Sequence, residues 1–271
     1  MARALGAWQR HGIDLNRAME RLATGRRINR ASDDPSGSIT SDKLGSDIKA
    51  VEKRIEGSTR ELGYLAAKDG AHSALSDLLT DLQGLVVSAA NRGAMSEGEQ
   101  DALQGQAESI VSTINHLADT QEFNGQKVLD EAHAHQLGKT TASRKNADGS
   151  ESDVSVSLAD LANGGLLNLK TGDLSKAQEA IESAIGEVAT TRGAIGARSR
   201  DVESKIRTSQ AELENLSAAR SQILDADYAT EVSNLVRAQT LQQASLYMMQ
   251  MLMESGRQQV IGLISGTTTR R

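Results

Sequence analysis

Apolar residues recur at three- and four-residue intervals through most of this chain, a spacing that predicts long amphipathic helices. Leu44, Ile48, Val51, Ile55, Leu62 and Leu65 share one stripe, and Leu75, Leu78, Leu82 and Leu85 continue it toward Ala89–Ala90–Asn91. Together they predict one helix of about 50 residues, roughly 75 Å at 1.5 Å per residue. Asp34 is placed to cap it, with Pro35 at the first helical position. Gly25 closes a shorter helix upstream. Asn91–Arg92–Gly93 then breaks the pattern, and Ser96 with Glu99 three residues on reads as a capping box. Leu103, Ala107, Ile110, Ile114 and Leu117 give the stripe of an antiparallel partner helix ending near Phe123–Asn124–Gly125.

Residues 126–173 are different in kind, rich in Gly, Ser, Thr, Asn and Asp. Val154, Val156 and Leu158 alternate with serines, which signals a strand, and Asp148–Gly149 sits where a hairpin turn belongs. A loop through Asn163–Gly164–Gly165 follows. Helix resumes at about Leu174, with Ile181, Ile185, Val188, Ile195, Val202, Ile206, Ser209, Leu213, Leu216 and Ile223 in a heptad-like stripe. Arg192 and Ser199 are its other non-apolar positions. Asp225–Ala226–Asp227 interrupts the chain, and a last amphipathic helix carries Val232, Leu235, Leu241, Leu246, Met249 and Leu252. The expected fold is mainly all-α. It is an elongated antiparallel bundle or coiled-coil rod with a small β-hairpin excursion, its N- and C-terminal helices paired at one end.

Composition sharpens this picture. The 271 residues contain 2% aromatics and one proline, Pro35. Few rings mean little of the bulk that fills a globular core, and few prolines suit long unbroken helices. Net charge is −6 and pI about 5.5, so the basic footprint of a nucleic-acid binder is missing. No apolar run reaches the roughly 18 residues needed to span a bilayer, and Met1 to Arg10 lack the apolar core of a cleaved secretory signal. With no cysteine, neither a disulfide nor thiol chemistry is available.

Candidate chemistry is thin. His133 and His135 flank Ala134 beside Glu131 and share one face of a strand, but no third ligand has helical spacing and no HExxH motif exists. A solvated loop is the preferred reading, and no metal or cofactor is expected. Met248, Met249, Met251 and Met253 form a cluster that cannot all point inward on one helix. They read either as core or as an adaptable docking face. Serines and threonines in 140–157 are potential glycan acceptors, with polar loop composition the preferred account. Pairs such as Glu52–Glu56 and Arg198–Arg200 read as solvated helix surface.

Five ordered segments carry a family resemblance. Glu20–Arg21–Leu22–Ala23–Thr24–Gly25–Arg26–Arg27–Ile28–Asn29 resembles ERLSSGLRIN, the signature of bacterial flagellin. Ser32–Asp33–Asp34–Pro35–Ser36–Gly37 is similar to its AKDDAAG or ASDDPAG sequel. Gln121–Glu122–Phe123–Asn124–Gly125–Gln126–Lys127–Val128–Leu129 resembles TQFNGVKVL. Leu224–Asp225–Ala226–Asp227–Tyr228–Ala229 resembles IRDADFA, and Thr240–Leu241–Gln242–Gln243–Ala244 resembles a terminal ILQQA.

The resemblance implies a non-enzymatic subunit exported by the flagellar type III pathway without a cleaved signal, then polymerised outside the cell into the filament used for swimming. Its partners would be further copies of itself, an export chaperone, and the hook-associated and cap proteins, with neither nucleic acid nor membrane. It implies a terminal-helix, inner-tube domain (1–33 and 226–271), a helical rod domain (34–125 and 174–225), and a short variable region (126–173) in place of bulky outer domains. Subunit packing would use Leu22, Ile28, Asn29, Asp33, Asp34, Phe123, Asn124, Asp225, Asp227, Leu235, Leu241, Gln242 and Gln243. Leu246, Met249, Leu252 and Ile261 would serve the chaperone-binding and inner-tube helix.

Three departures modify the expectation. Nineteen residues precede Glu20, fewer than the family's leader helix, which implies a shortened inner-tube helix or a misplaced start. Ser265 to Arg271 extends past the usual end. The patch read by the flagellin-sensing Toll-like receptor, LQRVRELAVQ in relatives, here runs Leu79–Thr80–Asp81–Leu82–Gln83–Gly84–Leu85–Val86–Val87–Ser88. Asp81 replaces the key arginine, Gly84 a glutamate, and Thr113 stands at a further contact glutamate. Charge reversal also removes a bidentate donor, so weak or absent receptor activation is expected. Two other readings remain: a hook–filament junction protein with the same terminal helices, and, more remotely, a cytoplasmic coiled-coil signalling module.

Overall fold

The computed structural model describes residues 2–129, 135–145, 151–162 and 164–267. Five helices dominate: α1 (Ala2–Thr24), α2 (Pro35–Ala89), α3 (Glu97–Thr120), α4 (Leu174–Leu224) and α5 (Tyr228–Thr267). Two antiparallel pairs complete the fold, β1 (Glu122–Phe123) with β2 (Gln126–Lys127), and β3 (Thr140–Lys145) with β4 (Glu151–Val156). The mainly-α class with a small hairpin is thus observed. Asp148–Gly149 and Asn163, read above as turn and loop residues, lie outside the described residues.

Local chemistry sets the helix boundaries. α1 stops at Gly25, whose φ is +68°. Asp34 Oδ1 accepts from the amide of Gly37 at 2.9 Å, so α2 starts with Asp34 as cap and Pro35 at its first position. Ser96 and Glu99 form the reciprocal capping box at the start of α3. Asp173 Oδ1 accepts from the amides of Ser175 and Lys176 to cap α4. Asp227 does the same for α5 through Ala229 and Thr230.

Residues form two compact units, Met1–Lys53 with Gln210–Arg271, and Arg54–Ser209. The second holds the main core. Leu75, Leu79, Leu82 and Val86 of α2 meet Ala107, Val111 and Ile114 of α3 and Ala177, Ile181 and Val188 of α4. Each buried Leu or Ile contributes about 1.5–3 kcal/mol. A satellite cluster joins Leu65 to Ile195 and Val202. Arg192, the charged position in the α4 stripe, turns outward to Asp69 at 3.0 Å.

Two details differ from the periodicity reading. Leu158 leaves the strand and opens a 3-10 turn, Leu158–Leu161. The stretch that follows, expected as open loop, buries Leu161, Leu167 and Leu169 in the core. Gln104 of α3 pins it by donating to Leu161 O and accepting from Leu169 N, both at 2.8 Å. In the first unit α1 and α5 pack antiparallel, with Ala18 and Ala238 buried between them.

Candidate assembly surfaces

The two motif-bearing segments at either end of the first unit meet as a clasp. Arg27 N donates to Leu224 O at 2.6 Å, Ala226 N to Gly25 O at 2.9 Å, and Arg26 pairs with Asp225 as an antiparallel bridge. The Arg27 guanidinium adds a bond to Ile223 O at 2.8 Å. Asp33 holds the turn beside it, its Oδ2 accepting from the amides of Asn29 and Arg30. Burial opposes the Asp33 charge, but those two amides and the guanidinium charges of Arg17 and Arg21 outweigh it and lower the pKa. Ile28 is buried beneath this turn, and the Asn29 side chain donates to Arg26 O. Asp227 has a lowered pKa because Thr230, through hydroxyl and amide, and the Ala229 amide donate to it. Ile28, Asn29, Asp33, Asp34, Asp225 and Asp227 therefore converge on one connector, while Leu22 is half-buried on α1.

Between the helices Arg21 meets Glu231 at 3.0 Å, and Glu231 is only 6% exposed. Neither residue is among the packing positions expected from the sequence, although Arg21 lies within the first motif. The available signal was register: Glu231, Ala238, Gln242, Ser245 and Met249 step by seven, four, three and four along α5 and all face α1 or its margin. Gln242 approaches Gly12 of α1. Leu235 and Met249 are half-buried, whereas Leu241, Gln243, Leu246, Leu252 and Ile261 are exposed.

The opposite face of α5 is apolar. Ala244, Tyr247, Met248 and Met251 sit at i, i+3, i+4 and i+7, which places them on one stripe. Tyr247 is 69%, Met248 62% and Met251 73% exposed. Of the two readings of the methionine cluster, core fails for these residues. α5 thus carries two faces, a mixed one packed on α1 and an apolar one with no partner among the described residues.

Other expected positions belong to the second unit. Phe123 stacks edge-on against Tyr64 with ring centroids 6.0 Å apart, and Asn124 is exposed with φ +51°. With Gly125 at φ +78°, it forms a two-residue hairpin turn where a plain helix end was expected. Asp81 and Gly84 line a shallow groove with Thr80, Leu85, Ser109 and Ile110. Thr113 is exposed on α3 outside that lining. His133 lies outside the described residues.

The bacterial flagellin N-terminal helical region matches residues 7–134 and the bacterial flagellin C-terminal helical region matches residues 178–264. Flagellin of Halalkalibacterium halodurans is 30% identical over 252 residues, 91% of this chain and 92% of its own length. Flagellin of Bacillus subtilis is 28% identical over 265 residues, 85% of this chain and 86% of its own. The crystal structure of Bacillus cereus flagellin gives a TM-score of 0.42 at 22% identity, over 61% of this chain and 94% of that one.

Proposed function

This chain belongs to the bacterial flagellin family, and we propose on that premise that the outward stripe of α5 is where one subunit packs against the next. The function is that of the family: a structural, non-enzymatic subunit that polymerises into the flagellar filament outside the cell. What supports the finer reading is the exposure of Tyr247, Met248 and Met251 on a helix whose other face is already packed on α1. A contiguous apolar patch of this kind marks an interaction surface.

In this reading residues 1–33 and 226–271 form the inner-tube part and residues 34–125 and 174–225 the rod, with Phe123 and Asn124 at its edge. Adaptable methionine side chains suit a helix that meets different partners in turn. Leu246, Met249, Leu252 and Ile261 would first engage a cytosolic export chaperone. The subunit then leaves by the type III route and joins a filament bounded by cap and hook-associated proteins. Asp81, Gly84 and Thr113 supply neither the arginine nor the glutamates that relatives present to the innate receptor, so a reporter-cell assay should read weak or absent activation. Ordinary potency would refute that part alone.

The packing proposal is tested by adding purified subunit to sheared filament seeds and following elongation by electron microscopy. Wild type should elongate. Tyr247→Glu/Met251→Glu should stop elongation while keeping its helical circular dichroism, because both positions are solvated in the free subunit. Elongation of that variant at the wild-type rate would sink the assignment.

A further inference from the structure

We propose that Met248 and Met251 are a modification site, where a hydroperoxide converts the thioethers to sulfoxides and so stops the subunit adding to a filament. This rests on the reading that the outward stripe of α5 is an assembly surface. The chain has seven methionines and no cysteine, so thioethers are its only side-chain sulfur. They are unequally placed. Met251 is 73% and Met248 62% exposed, and Met253 54%, while Met249 is half-buried toward α1.

The reaction balances without a cofactor. A sulfur lone pair attacks the outer peroxide oxygen, and the S–O bond forms as the O–O bond breaks. Sulfur loses two electrons, and the peroxide is reduced to water or an alcohol, which keeps the remaining proton. A flexible apolar chain becomes a polar, chiral one. In the free subunit water solvates the new oxygen, so the helix pays nothing. On assembly the same oxygen must be desolvated against an apolar neighbour. The penalty therefore falls on polymerisation and spares folding. Tyr247 lies one turn from Met251 and adjoins Met248 in sequence, so both sulfoxides disturb the same patch.

The test treats purified full-length subunit with dilute hydrogen peroxide, maps sulfoxides by peptide mass spectrometry, and measures seeded elongation. Sulfoxide should accumulate at Met251 and Met248 before Met249, with helicity unchanged. The elongation rate should fall on the order of tenfold for each sulfoxide, and the two methionine sulfoxide reductases should restore it. Met248→Leu/Met251→Leu should elongate equally before and after peroxide. The proposal is overturned if subunit carrying both sulfoxides elongates at the untreated rate, or if the double-leucine variant is as peroxide-sensitive as wild type. Untreated wild type that fails to elongate on seeds would overturn the assembly reading itself, and this inference with it.

Discussion

Glu231 is buried in the α1–α5 interface, where Arg21 reaches it at 3.0 Å, so removing one partner costs more than removing both. Arg21→Ala is expected to weaken the terminal-helix pair by about 2–3 kcal/mol, below the range for a wholly buried pair because Arg21 keeps some solvent contact. Arg21→Leu/Glu231→Leu should cost less, and urea titrations of both variants give the comparison. His72 makes a pH prediction. Burial is the main cause that lowers its pKa, with Lys68 and Arg192 charges adding and the Lys68 carbonyl and Asp69 opposing. The unfolded imidazole binds its proton near 6.5, the folded one only at lower pH. Between those values the unfolded chain holds more protons, so stability falls as pH falls and levels off below the folded value. His72→Gln should flatten the urea midpoint across that window, and a decline parallel to wild type would refute the assignment. Two glycines with similar φ should respond differently to alanine. Gly125 has open space around it, so Gly125→Ala costs about 1–2 kcal/mol for the left-handed backbone alone. Gly138 faces Ala180 O at 2.2 Å from where a Cβ would sit, so Gly138→Ala must also displace backbone and should cost about 3 kcal/mol or more. Thermal melts of the pair discriminate the two causes.

Helix boundaries were the most legible elements because each is written in side-chain chemistry within four residues. Asp34–Pro35, Ser96 with Glu99, and Asp225–Ala226–Asp227 all act where their residue types predict. Ser96→Ala should cost about 1 kcal/mol by exposing the first amides of α3, read as a shift in the denaturation midpoint. Elements that depend on distant side chains were not legible. The turn at Leu158–Leu161 and the buried leucines after it look like polar loop locally, and only Gln104, 57 and 65 residues away from its partners, explains their order. The hairpin at Asn124–Gly125 has strands two residues long, too short to show alternation, although the Asn-Gly pair is a turn signal. For the candidate surfaces the sequence supplied the segments as motifs. That residues 25–27 bond to 223–226 follows only from the fold.

The two compact units differ in how they are held. Among the described residues of Met1–Lys53 and Gln210–Arg271, the buried apolar side chains are Ala18, Ile28, Val51 and Ala238, whereas Arg54–Ser209 contains both hydrophobic clusters. So thin a core makes this the less stable of the two units. Limited proteolysis of the free subunit should therefore trim toward residues 54–209 before it cuts within them. Incorporation into filaments should protect the ends. The clasp carries a mechanical consequence for such a polymer. Two covalent strands pass side by side at Gly25–Arg27 and Leu224–Ala226, tied crosswise by backbone bonds. Tension on both terminal helices is divided between those strands, and neither can creep ahead of the other without rupturing the ties together, so a tug or twist from the rotating shaft is shared and not concentrated on one peptide.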